Sequence, residues 1–320
     1  MIKTVNTFKS ADKETDIVYY VYTPEREIMP KAIVQISHGI CEYVERYEEL
    51  AEFLTANGVV VCGNDHLGHG KTAADPSKLG YFGNSDGDKN LVHDIHTLYG
   101  IMRQKYRRLP YIMLGHSMGS FIVRSYMTAS NYGNEIDGVI LCGTSGTNQP
   151  VGYGIMLASV ISVFKGKMYR SKTLRKLAFK NYNQRFANEN DEFSWLSKDT
   201  DIRTKYTADD HCNFTITAYG YRDLFRLLQE VSADEWAADI PLSLPVMFIS
   251  GTEDPVGNYG EGVKLVYDKL DDAELNDVTL KLYENDRHEI LNETDRSVVF
   301  EDILGFVNRV YEGVLEVNKL

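Results

Sequence analysis

The stretch of this 320-residue chain best suited to chemistry is Gly115-His116-Ser117-Met118-Gly119. Glycines two positions either side of a serine permit a turn too tight for side chains, so the hydroxyl stands clear of the backbone. The apolar run Tyr111-Ile112-Met113-Leu114 precedes it, and a helical pattern from Ser120 to Ala129 follows. That strand–turn–helix context is the one a nucleophile elbow requires, with a helix N-terminus behind the serine to favour an oxyanion. A serine is a weak nucleophile until an imidazole can take its proton, and the imidazole needs an acid to hold its tautomer. The chemistry implied is acyl transfer. The rest of the chain must then supply a base, an acid and a second oxyanion donor.

The surrounding elements place these groups. Ile17 to Tyr22, Ala32 to Ile36, Val59 to Cys62, Gly138 to Cys142, Leu244 to Ser250 and Val278 to Tyr283 read as strands. Helical spacing between them runs over Tyr43–Asn57, Leu91–Tyr106, Tyr259–Leu270 and Ser297–Val314. In the last of these, Val299, Ile303, Phe306, Val307 and Val310 share one stripe. Strands alternating with helices predict an α/β domain with a mostly parallel sheet covered on both faces. From Asn148 to about Asp239 the alternation stops, and the sequence turns helix-like and loop-like. This predicts a core of residues 1–147 and 240–320 with a mainly helical cap, 148–239, inserted over the strands' C-terminal ends. Ligands bind at that edge of such sheets.

Asp254 follows the late strand ending at Ile249, and His288 follows the strand ending at Tyr283, so both project from the edge that presents Ser117. Ser117, Asp254 and His288 are the expected nucleophile, acid and base; Glu253 is the rival acid. The expected oxyanion donors are two backbone N–H groups. One belongs to Met118, directly after the serine. The other belongs to Ile40, in the loop His38-Gly39-Ile40 after an early strand.

Composition narrows the alternatives. A formal net charge of −12 argues against nucleic acid. The N-terminus lacks the apolar core of a signal peptide, and no apolar run is long enough to span a bilayer. Cys41, Cys62, Cys142 and Cys212 show neither paired nor C-x-x-C spacing. A cytoplasmic enzyme with reduced thiols is the expectation. The pairs His66/His69 and His93/His96 lack an accompanying carboxylate set, so no metal is expected; no phosphate-binding or dinucleotide motif is present, so neither is a cofactor.

With His38-Gly39, Asp65-His66-Leu67-Gly68-His69-Gly70, Gly115-His116-Ser117-Met118-Gly119, Gly251-Thr252-Glu253-Asp254 and Arg287-His288-Glu289 in this order, the chain resembles the monoacylglycerol lipase and lysophospholipase branch of the α/β-hydrolases, of the serine aminopeptidase S33 type. The resemblance implies the α/β-hydrolase fold and a cofactor-free serine hydrolase of carboxylic esters, commonly of glycerol or lysophospholipid. Peptidases and non-lipid esterases with the same triad are the alternatives it leaves. An aminopeptidase would need acidic cap groups, and Glu189, Asp191, Glu192, Asp209 and Asp210 are candidates. In the cap, Val151 to Phe164 is almost wholly apolar, and Lys165 to Lys180 carries seven positive and no negative side chains. Such a pairing suits either a helix packed over an acyl pocket or peripheral contact with an anionic membrane surface.

Overall fold

The structure, a computed structural model, describes residues 1–147 and 151–317. Its β-branched runs pair into one sheet. The strands are β1 (Ile2–Lys9), β2 (Asp16–Thr23), β3 (Ala32–Ser37), β4 (Val59–Asn64), β5 (Tyr111–His116), β6 (Gly138–Cys142), β7 (Val246–Gly251) and β8 (Val278–Tyr283). Their order is β1-β2-β4-β3-β5-β6-β7-β8. β1 and β2 run antiparallel to their neighbours, and β4 through β8 pair in parallel. Every residue of β3, β4, β5, β6 and β7 is buried, as expected for strands covered on both faces. β1 is absent from the sequence reading for a physical reason. Its side chains are mostly exposed, so it has no apolar alternation, and only pairing with β2 defines it.

Side chains alternate across the sheet and sort into two cores. Ile112 and Leu114 of β5 face α1 (Glu48–Ala56) and α9 (Arg296–Val317), where Leu50, Leu54, Val299, Ile303 and Val307 are buried. Tyr111 and Met113 face α2 (Gly87–Lys105), α3 (Met118–Thr128) and α8 (Glu261–Asp272), against Leu91, Ile95, Ile122 and Val263. Each such aliphatic side chain contributes about 1.5–3 kcal/mol by leaving water. The α9 stripe expected from spacing is the face that is buried.

The inserted stretch forms α4 (Gly152–Lys165), α5 (Lys172–Ala178), α6 (Thr200–Ala208) and α7 (Ala218–Ser232), with no strand among the described residues. Its expected first residue, Asn148, lies outside the described residues. A third apolar cluster, including Leu174, Phe193, Trp195, Tyr206 and Tyr221, holds this layer together. α7 serves two environments. Ala218, Tyr221 and Phe225 pack in the covering layer, whereas Leu227 and Val231 join the core under the sheet. Trp236 and Ala237 lie in that same core.

Candidate active site

β3 pairs with β4 on one side and β5 on the other, so the strand order reverses there and leaves a crevice at the C-terminal edge. The register Ser37↔Gly115 sets the loop after β3 beside the turn after β5. That turn is sterically defined. A Cβ on Gly119 would lie 1.9 Å from the Ser37 carbonyl oxygen, and one on Gly115 would lie 2.5 Å from the Gly119 carbonyl oxygen. Between them Ser117 holds φ 52° and ψ −121°, a strained conformation for a residue with a side chain. Hydrogen bonds hold it there. The Ser117 N–H donates to the Cys142 carbonyl (3.0 Å), and its carbonyl accepts from the Ser120 N–H (2.9 Å) and Oγ (2.6 Å).

His288 Nδ1 lies 3.0 Å from both carboxylate oxygens of Asp254, which puts the ring proton on Nδ1 and leaves Nε2 free to accept one. Asp254 is fully buried and also accepts from the Val256 N–H (2.8 Å) and Ser250 Oγ (3.1 Å). Glu253, the rival acid, instead faces Arg185 at 3.2 Å. Ser117 and His288 line one cavity of about 480 Å³, walled by aromatic side chains including Phe179, Tyr182, Trp195 and Phe214. A second, smaller cavity of about 100 Å³ meets Ser117 among Met118, Phe121, Leu224 and Leu228. Ile40 lines both cavities, and Met118 is the first residue of α3.

The early loop owes its shape to histidine tautomers. His38 Nε2 accepts the His66 N–H (2.9 Å), so Nδ1 carries the proton and donates to the Gly39 carbonyl (2.7 Å). Burial, helped by neighbouring His66 and His69, holds His38 well below the usual imidazole range, so it stays neutral. His66 bonds to Ser37 Oγ (3.0 Å), His69 Nδ1 to the Leu67 carbonyl (3.0 Å), and burial pushes them down to about 3 and about 4. Asp65 ties the same loop by accepting the N–H groups of Val44 (3.0 Å) and Lys71 (2.8 Å). His96 stacks on Tyr132 at 3.7 Å. Among the described residues no His, Cys, Asp or Glu cluster is arranged to hold a metal. All four cysteines are buried free thiols, with Cys41 and Cys212 lining the large cavity.

Several residues at the site escaped the sequence reading. The inserted layer is bonded to the loop after β8: the His288 N–H donates to the Trp195 carbonyl (3.3 Å) and the Glu289 N–H to the Leu196 carbonyl (2.7 Å). Arg287 pairs with Glu189 and donates to the Ser194 carbonyl (2.6 Å). The Trp195 ring sits 5.3 Å from the His288 ring. Glu42 and Arg46, also missed, occupy the buried side of the site. The one trace of Glu42 in the sequence is its place three residues after Gly39.

Residues 28–295 match the model of the family described as serine aminopeptidase, S33. The chain is 29% identical to the monoacylglycerol lipase of Mycolicibacterium smegmatis, over 91% of this chain and 92% of that protein. It is 28% identical to human monoglyceride lipase, over 85% of this chain and 81% of that protein. A thermostable carboxyl esterase from Bacillus coagulans, solved with glycerol, superposes with a TM-score of 0.89 at 33% identity, covering 97% of this chain and 99% of that one. With residues 28–295 of its 320 matching that model, and an eight-stranded, mostly parallel sheet shared with solved α/β-hydrolases, the chain belongs to the serine aminopeptidase S33 family.

Proposed function

We propose that this carboxylic ester hydrolase works through Ser117, His288 and Asp254, and that its substrate is a monoacylglycerol or a related lysophospholipid-type ester. The observation that carries the reading is His288, held by buried Asp254, opening with Ser117 on one aromatic-walled cavity. His288 Nε2 takes the Ser117 proton as Oγ attacks the ester carbonyl. The amides of Ile40 and Met118 receive the charge that develops on the carbonyl oxygen. The alcohol leaves with the proton from His288, and an acyl-enzyme remains. Water, deprotonated by His288, then releases the acid. Two cavities meeting at Ser117 suit the two sides of an ester. The cap covers them from residue 151 to within α7.

A lipid-like substrate also fits the outside of the cap. α4 turns Gly154, Ala158 and Ser162 inward and Tyr153, Met156, Val160, Val163 and Phe164 outward, the last two 79% and 80% exposed. Exposed Lys165, Lys167, Lys172, Lys176 and Lys180 lie at the end of that helix and directly after it in sequence, which suits peripheral contact with an anionic lipid surface. No helix of the described residues is long and apolar enough to cross a membrane.

Of the cap carboxylates an aminopeptidase would use, only Glu192 lines the large cavity, and Arg175 engages it. Glu189 and Asp191 are engaged by Arg203, Glu192 by Arg175, and Asp209 by the Tyr43 hydroxyl (2.6 Å). Asp210 is exposed. The test compares monoacylglycerols of rising chain length with amino-acid nitroanilides, using wild type and Ser117→Ala. Ester turnover that drops about 10⁶-fold in Ser117→Ala is expected. Preferential cleavage of nitroanilides would overturn the substrate assignment.

A further inference from the structure

One carboxylate lies where three parts of the site converge. Glu42, 2% exposed, accepts through Oε1 from the Gly39 N–H (2.5 Å), His116 Nδ1 (2.8 Å) and the Tyr47 hydroxyl (2.9 Å). Its Oε2 accepts from Arg46 (3.2 Å). Gly39 precedes the expected oxyanion donor Ile40, and His116 precedes Ser117. Arg46 extends the link by a two-pronged pair with Glu289 at 2.7 Å on each prong, and Glu289 follows His288. His116 Nε2 also lies 3.4 Å from the His288 carbonyl oxygen, and the two rings are 4.9 Å apart.

The four charges form a closed set. Burial alone raises the Glu42 carboxyl, but the His116 charge and hydrogen bond, joined by Arg46, outweigh it and hold Glu42 below the usual carboxylate range. Burial alone lowers His116, but the charge and hydrogen bond of Glu42, then the charge of Glu289, outweigh it and raise the imidazole. Glu42 and Glu289 thus face His116 and Arg46 along the buried wall of the large cavity, which Glu42, His116 and Glu289 line. A buried carboxylate with this many donors is costly to unpair, so its neighbours are fixed in place.

We infer that Glu42 is a positioning residue that aligns the oxyanion loop with the nucleophile elbow and, through Arg46 and Glu289, with the base. The inference rests on the triad reading. Glu42 touches no reacting atom; it acts by where it holds Gly39 and His116. The groups facing His116 are Glu42 and Tyr47 from the early loop and the turn after it, and His288 and Glu289 from the loop after β8. With Glu42 neutralised, His116 keeps only the more distant Glu289 as counter-charge against its burial, and its pKa falls.

The experiment measures fluorophosphonate reaction at Ser117 and hydrolysis of a short soluble ester, for wild type, Glu42→Gln, His116→Asn and the double variant. Glu42→Gln is expected to lower kcat and the labelling rate together by about tenfold, with KM unchanged, since small misplacements at a reacting centre cost up to about a hundredfold. Its pH profile should change shape relative to wild type, because the His116 ionisation moves down once Glu42 is neutral. The double variant should lose no more than the worse single variant, because both act through one contact. If Glu42→Gln does not fold, His116→Asn carries the same kcat and KM comparison. Labelling of Ser117 at the wild-type rate in both variants, or a loss confined to KM, overturns the role of Glu42 while leaving the triad standing. No labelling of wild-type Ser117 overturns the triad itself.

Discussion

Behind Ser117 a single added methyl group has nowhere to go, whereas on α4 two large apolar side chains stand mostly in solvent. A Cβ on Gly119 would sit 1.9 Å from the Ser37 carbonyl oxygen, while Val163 and Phe164 are 79% and 80% exposed. The floor of the site is specified by steric exclusion, hydrogen bonds and buried charge. Its cover is specified by apolar area. The two meet where the Trp195 and Leu196 carbonyls accept from the loop of His288, so one half of the cover is locked to the chemistry and the α4 half is not.

That contrast can be broken at several points. Gly119→Ala adds one carbon to the floor and should lower kcat by about a hundredfold or more, because the turn carrying Ser117 must shift away from β3. Steady-state kinetics alongside circular dichroism would check it; near-normal kcat would show the floor to be softer than its geometry indicates. Val163→Ser with Phe164→Ser removes apolar area from the cover. Retention on anionic vesicles at low salt should fall about tenfold, while kcat on a short soluble ester changes less than twofold. Equal losses in both assays would erase the distinction between floor and cover.

The smallest expected effect concerns the junction. Hydrogen bonding to Arg287, reinforced by Arg203, holds the Glu189 carboxyl down at about 2 against its partial burial. A carboxyl lowered in the folded state contributes stability that is present above its unfolded value, about 4.3, and lost as pH falls through the folded one. The stability difference between wild type and Glu189→Gln should therefore be constant above about pH 5 and shrink between about pH 4 and 2. Denaturant unfolding at several pH values measures this. A difference that grows on acidification would contradict the pairing.

Much of the floor is legible in the chain itself, because its signals are local. Gly115 and Gly119 flank the serine, and Asp254 and His288 each follow a recognisable strand. Order alone leaves Glu253 beside Asp254 as a rival acid; it is Asp254 that lies 3.0 Å from His288 Nδ1, while Glu253 faces Arg185. The Glu42–Arg46–Glu289 link is not legible, since Arg46 and Glu289 are 243 positions apart and share no periodicity. For α4 an almost wholly apolar run hides which side packs. Only the small residues Gly154, Ala158 and Ser162, four apart, mark the face that meets its neighbours, with Gly154 close against the Phe225 ring. α7 escapes a single assignment because one helix serves two cores.

The central claim is that Ser117 carries the acyl group. Rapid acid quenching during turnover of a p-nitrophenyl ester, followed by peptide mapping, tests it most directly. The account predicts a burst of nitrophenol close to one per protein and the acyl group on the peptide containing Ser117, with both lost in Ser117→Ala. Turnover with the acyl group on another residue, or undiminished turnover in Ser117→Ala, would contradict it.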